Sequence, residues 1–62
     1  MMEVRTLDTR ERILDTAEHL FMTHGYEGTS MRQITSEASV NLAAVNYHFG
    51  SKECLIQEVF RR

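Results

Sequence analysis

The sequence predicts an all-α domain of three helices and the start of a fourth. Three observations point there. Apolar residues recur at helical spacing in four separate stretches. The chain has no proline and only three glycines, two of which, Gly25 and Gly50, fall where a helix would have to stop. Ahead of three of the stretches stand Ser30, Asn41 and Ser51, whose short polar side chains suit helix starts.

Residues 1–8 show no period and read as a mobile N-terminal arm; residues 9–62 read as the folded domain. The first helix carries Ile13, Leu14, Ala17, Leu20 and Phe21, at i, i+1, i+4, i+7 and i+8, which is one face. Asp8 with Glu11 three residues on, or Thr9 itself, can cap its start. Gly25 sits where a left-handed residue would end it, and Tyr26 folds back as an apolar cover. In the second helix Ser30 and Gln33 form a capping box, Met31, Ile34 and Ala38 face inward, and the end falls near Glu37 or Ala38. "ASVN" must then turn sharply, because Asn41 caps a third helix from about Leu42 to His48. Ala44, Val45 and Phe49 are its inward candidates. Gly50 stops it, and Ser51 caps a fourth helix with the stripe Leu55, Ile56, Val59 and Phe60. No stop signal follows at Arg61-Arg62, so this helix reads as cut off and the chain as a piece of a longer protein.

Sixty-two residues make one small domain. A domain of this size buries only about 60% of the surface its unfolded chain exposes, so marginal stability is expected. The single cysteine, Cys54, excludes an intramolecular disulfide and reads as a buried structural thiol. No apolar run is long enough to span a bilayer and no signal-peptide pattern is present, which reads as cytoplasmic, with no membrane partner. The net charge of −2 alone disfavours nucleic acid. Its distribution reverses that reading. Asp8, Glu11, Asp15 and Glu18 crowd the first third, whereas 38–52 contains no acid. An acid-free stretch can dock on phosphate.

Two short helices joined by a three- or four-residue turn make the helix-turn-helix, in a homeodomain-like arrangement. Ile34, Ala38, Val40 and Val45 must pack the pair together, with Thr35 where the helices cross. The turn wants a residue tolerant of left-handed geometry, and this chain has Ser39 there. In a DNA reader the second helix of the pair enters the major groove. Its outward residues are Asn41, Leu42, Ala43, Asn46 and Tyr47. Asn can bond adenine through two hydrogen bonds, and Ala or Leu can touch thymine methyls. Tyr47, His48 and Lys52 would sit at the groove edge. Lys52 lies in the first turn of the fourth helix, whose free N–H groups and positive dipole end favour anions.

"RERILDTAEHLFMTHGYEGTSMRQITSEASVNLAAVNYHFGSKECLIQEVF" resembles the N-terminal DNA-binding domain of the TetR family of transcriptional repressors, through "ILDTAEHLF…GY", "S-M-R-Q-I" and "YHFGSKECL". The wording "VNLAAVNYHFGSK" is similar to a subset that includes fatty-acid-responsive regulators. The resemblance implies a two-domain homodimer on a near-palindromic operator in double-stranded DNA, released by an inducer bound to a C-terminal domain. It implies phosphate contacts from Thr29, Ser30 and Arg32, with Arg32 also able to reach a base. Leu42, Ala43, Ala44 and Asn46 would lie in the groove, and Tyr47, His48 and Lys52 on the backbone. Ser39 replaces the usual turn glycine. Asn46 stands where the family often has tyrosine, and Leu42 where a polar or basic residue is common, so no family base preference is carried over.

Other readings compete. Arg32 could simply pair with a surface acid. His19 and His24 are five apart, off one helical face, and Cys54 is far away, so no zinc set forms. No nucleophile–base pair converges, so the chain is not read as an enzyme, and no cofactor is implied. The alternative class is a small helical protein-interaction module, which predicts an exposed apolar groove and no phosphate-directed residues near Lys52. The sequence favours a DNA-binding transcriptional regulator, acting as a repressor.

Overall fold

The computed structural model describes residues 5–62, with side chains from Thr9 onward. Four helices follow one another: α1 (Arg5–His24), α2 (Met31–Ala38), α3 (Leu42–His48) and α4 (Lys52–Arg61). Among the described residues there is no strand.

α1 begins earlier than its sequence period suggests. Arg5, Thr6, Leu7 and Asp8, expected in the arm, are helical, and Asp8 and Thr9 lie inside the helix rather than at its cap. The physical reason is cooperative. Residues 5–9 contain no glycine or proline, and once a first turn exists each added residue gains a hydrogen bond. Residues 1–4 of the expected arm lie outside the described residues.

The core gathers one face from every helix. Ile13, Leu14, Ala17, Leu20 and Phe21 of α1 meet Ile34 of α2, Val45 of α3, the capping residue Phe49 and Leu55 of α4. Tyr26, Met31, Val40, Ile56 and Val59 pack around them, half-buried. Ile13, Ile34, Val45 and Leu55 are wholly buried. Each such side chain contributes roughly 1.5–3 kcal/mol relative to exposure, a large share for so small a domain.

Local chemistry sets the helix ends. Gly25 takes φ 81°, a left-handed value, and its N–H donates to Phe21 O at 2.8 Å, closing α1. The Tyr26 ring then folds back to 5.6 Å from that of Phe21. Gln33 N–H donates to Ser30 Oγ (3.1 Å) and Ser30 N–H to Gln33 Oε1 (2.9 Å), a complete capping box on α2. Ser39 adopts φ 60° and ψ 43°, the left-handed turn that swings the chain into α3. Ala44 N–H donates to Asn41 Oδ1 (2.9 Å), and Cys54 N–H to Ser51 Oγ (3.1 Å), capping α3 and α4.

Two expectations on α4 fail for one geometric reason. Phe60 is 78% exposed and Cys54 is exposed, not a buried thiol. With about 100° of rotation per residue, the line between Leu55 and Val59 faces the core, and Phe60 and Cys54 each fall roughly 120° from it, on opposite sides. Lys52, Ile56 and Glu58 flank that line and are half-buried.

Ion pairs tie α4 to α1. Arg62 donates to Asp15 (2.8 Å), Glu11 (3.2 Å) and Glu18 (3.3 Å), and Arg10 to Glu58 (3.1 Å). The Asp15 hydrogen bond, with the charges of Asp15, Glu11 and Glu18, holds the Arg62 guanidinium even more firmly protonated than usual, against partial desolvation. Arg10 also lies 5.2 Å above the Phe49 ring. A different arginine reaches the turn: Arg12 Nη2 donates to Ala38 O at 2.9 Å and to Ser39 O at 3.4 Å. No described helix is long and apolar enough to cross a membrane.

Candidate nucleic-acid interface

α3 has seven residues, and rotation together with exposure assigns its faces. Val45 and Phe49 point inward and are buried. Ala43 and Tyr47 fall roughly opposite that inward line, Asn46 to one side of it, and Leu42 only about 40° from it at the first position of the helix; all four are exposed, Tyr47 at 84% and Leu42 at 51%. An apolar leucine at the start of this short helix and a large ring near its end are thus left in water. Ala44 and His48 lie one turn apart on the flank and are half-buried.

Asn41 is exposed, but its Oδ1 is engaged by the cap. Its amide nitrogen remains to donate. Asn46 is exposed, and its side-chain amide is drawn into no cap or hydrogen bond among the described residues. The Tyr47 and His48 rings meet edge-on at 5.1 Å, and His48 lies 6.0 Å from Phe49. His48 is thus packed between an exposed ring and a buried one and is half-buried.

Lys52 follows α3 at the first position of α4. Its Nζ stands 4.3 Å from the centre of the Tyr26 ring, a cation–π contact. The ring accepts one side of the ammonium and leaves its other donors for a second ligand. Partial burial, helped by Glu53 and Glu27, pushes the Tyr26 phenol above its ordinary range. Ser30 and Arg32 open α2 and are exposed. Ser30 Oγ accepts its capping bond and keeps its own proton to donate. Among the described residues Arg32 makes no ion pair with an acid.

Thr29 must be withdrawn from the candidate set. It is 1% exposed, and its hydroxyl proton is shared between Leu20 O (3.1 Å) and Gly25 O (2.9 Å). A hydroxyl turned into the protein cannot reach a phosphate. It ties the loop after α1 to that helix's last turn instead.

The remaining candidates therefore sort into the exposed residues of α3 (Leu42, Ala43, Asn46, Tyr47), its half-buried ones (Ala44, His48), two helix starts carrying Ser30, Arg32 and Asn41, and Lys52 seated on Tyr26. The acids of α1 are drawn elsewhere, since Arg62 collects Glu11, Asp15 and Glu18. Sequence reading missed two contributors. Tyr26 was visible only as an apolar cover, not as a lysine's seat. Arg12 was visible only as a charge on the first helix. Both contacts join residues 26 apart in the chain, and no local pattern signals them. Among the described residues no group of three His, Cys, Asp or Glu could hold a metal ion.

Comparison with known proteins bears on this geometry. The family model for bacterial regulatory proteins of the tetR family matches residues 13–59. The HTH-type nicotine-responsive transcriptional repressor HdnoR of Paenarthrobacter nicotinovorans is 39% identical over 90% of this chain and 29% of its own length. The HTH-type transcriptional regulator LmrA of Bacillus subtilis (strain 168) is 44% identical over 82% of this chain and 28% of its own. A crystal structure of a HlyIIR mutant protein superposes with a TM-score of 0.83 and 49% identity, over 86% of this chain and 29% of that one. The chain thus spans less than a third of the length of these relatives. An all-helical fold that superposes on a solved relative, and a family match running from the core of α1 to the last inward residue of α4, lead to one assignment: the chain belongs to the tetR family of bacterial regulatory proteins.

Proposed function

We propose that these residues form the DNA-reading domain of a transcriptional repressor, with α3 entering the major groove. The observation that carries the reading is the exposed surface of α3. Leu42, Ala43, Asn46 and Tyr47 are exposed together on a short helix that is capped at its start and packed on the core through Val45. In this role Asn46 reads a base edge and Leu42 and Ala43 touch thymine methyls. Ser30, Arg32, Tyr47, His48 and Lys52 donate to phosphates, and Asn41 and Ala44 border the groove. The full-length protein acts as a homodimer on a near-palindromic site, in the cytoplasm at the nucleoid. A small-molecule inducer binds outside these residues and releases the DNA, and the "VNLAAVNYHFGSK" wording supports a fatty-acid-type inducer.

A binding selection against random duplex DNA with the full-length protein tests this. Enrichment of a near-palindrome with two half-sites is expected. Recovery of no sequence above background would refute it.

One observation favours a second reading, a protein-interaction module. Phe21, Met22, Tyr26, Ile56, Val59 and Phe60, with Glu18, line an open apolar groove of about 320 Å³, and Met22 is 82% exposed. No residue of α2 or α3 contributes to it. The same selection separates the two readings, since an interaction module recovers no duplex.

A further inference from the structure

The turn between α2 and α3 has a weakness that the helices themselves do not repair. Ser39 is left-handed at φ 60°, where a side chain crowds its own backbone and glycine is the unstrained residue. The carbonyls ending α2 also need donors. Ser39 N–H reaches Ser36 O at 3.3 Å, and Val40 N–H reaches Thr35 O at 3.0 Å. These bonds hold the inside of the turn. Two carbonyls of the turn itself, Ala38 O and Ser39 O, are held from outside, by one nitrogen of Arg12 on α1, at 2.9 Å and 3.4 Å. A guanidinium nitrogen carries two hydrogens, so it can engage both at once. Its charge also sits at the negative end of the α2 dipole.

We propose that Arg12 is a positioning residue for DNA reading. It clamps the left-handed turn from α1 and thereby sets the angle at which α3 is presented. Arg12 stands in for the conformational ease that glycine would supply at position 39. The proposal rests on the DNA-reading function for its consequence, but not for the clamp itself.

The test has one arm without DNA and one with it, both on the full-length protein. In the first, hydrogen exchange is compared at the Val40 N–H, which closes the turn, and the Gly25 N–H, which closes α1. Arg12→Ala is expected to speed exchange at Val40 about tenfold more than at Gly25, the scale of one lost charge-assisted hydrogen bond. Adding Ser39→Gly should return most of that protection, and Arg12→Lys, with a point charge and no fork, should fall between. Equal acceleration at both amides would mean general loss of stability and would overturn the clamp. So would unchanged exchange, or failure of Ser39→Gly to rescue.

In the second arm, Arg12→Ala should lower the ratio of affinities for the selected duplex and a scrambled one, with no change in salt slope. Equal loss on both duplexes, with a slope flatter by about one unit, would make Arg12 a phosphate contact and overturn the positioning role. If the parent protein selects no duplex, the DNA-reading function falls, and the exchange arm still decides whether Arg12 holds the turn.

Discussion

Replacing Thr29 by valine separates a structural hydroxyl from a DNA-binding one. Valine keeps the shape of threonine and removes the donor. In the native chain that donor serves Leu20 O and Gly25 O from a site that is 1% exposed. The bond to Leu20 O is buried, and water cannot replace it there. Leaving a buried acceptor without its donor costs about 1–3 kcal/mol. A chain of this length should have a total stability of roughly 3–9 kcal/mol. The loss is therefore a large fraction of the whole. In a domain of this size each kcal/mol corresponds to about 4–8 °C in melting temperature. Thermal unfolding followed by far-UV circular dichroism, with a urea titration beside it, measures the effect. Thr29→Ser keeps the hydroxyl and loses one methyl, at about 0.8 kcal/mol, so it should be the milder change. DNA affinity, measured where both variants remain folded, should match the parent, with the same dependence on salt. If Thr29→Val melts with the parent and binds duplex DNA more weakly, the hydroxyl contacts phosphate and the burial argument is wrong.

Four further outcomes are expected. Lys52→Ala should weaken binding to every duplex alike and flatten the plot of log K against log salt by about one unit. Tyr26→Leu, which removes the ring beneath the ammonium, should weaken binding less and leave that slope in place. An unchanged slope in the Lys52→Ala titration would remove this lysine from the interface. Asn46→Ala should relax preference at one position of each half-site, with roughly 1–3 kcal/mol of discrimination lost there, whereas a uniform loss across all bases in a mutated-site panel would make Asn46 a structural residue. These 62 residues alone should sediment as a monomer or weak associate and bind a single half-site poorly. Fusion to an unrelated dimerisation helix should recover much of the ~10²–10⁴-fold gain that linkage provides, and a tight dimer without the fusion would refute this.

The sequence by itself determined the order of elements and the helix ends other than the start of α1. Ser30 with Gln33, Asn41, and Ser51 cap the residues three positions later, and Gly25 and Gly50 stop the helices before them. These are contacts within one turn of chain, so residue type and spacing carry them. The inward faces of α1, α2 and α3 were legible for the same reason, because a repeat of 3.6 residues needs only its own period. Most of the exposed surface of α3 followed by subtraction. What the tertiary structure decided was how each element is turned and what its polar groups meet. The short stripe of α4 allowed several rotations, and packing against α1 chose the one that buries Leu55 and leaves Phe60 and Cys54 in water. Thr29 carried the residue type of a phosphate donor, yet its hydroxyl found carbonyls of the preceding helix. Arg12 on the turn and Lys52 on Tyr26 are long side chains reaching across elements. Such contacts depend on the positions of two backbones at once, and only the assembled core fixes both.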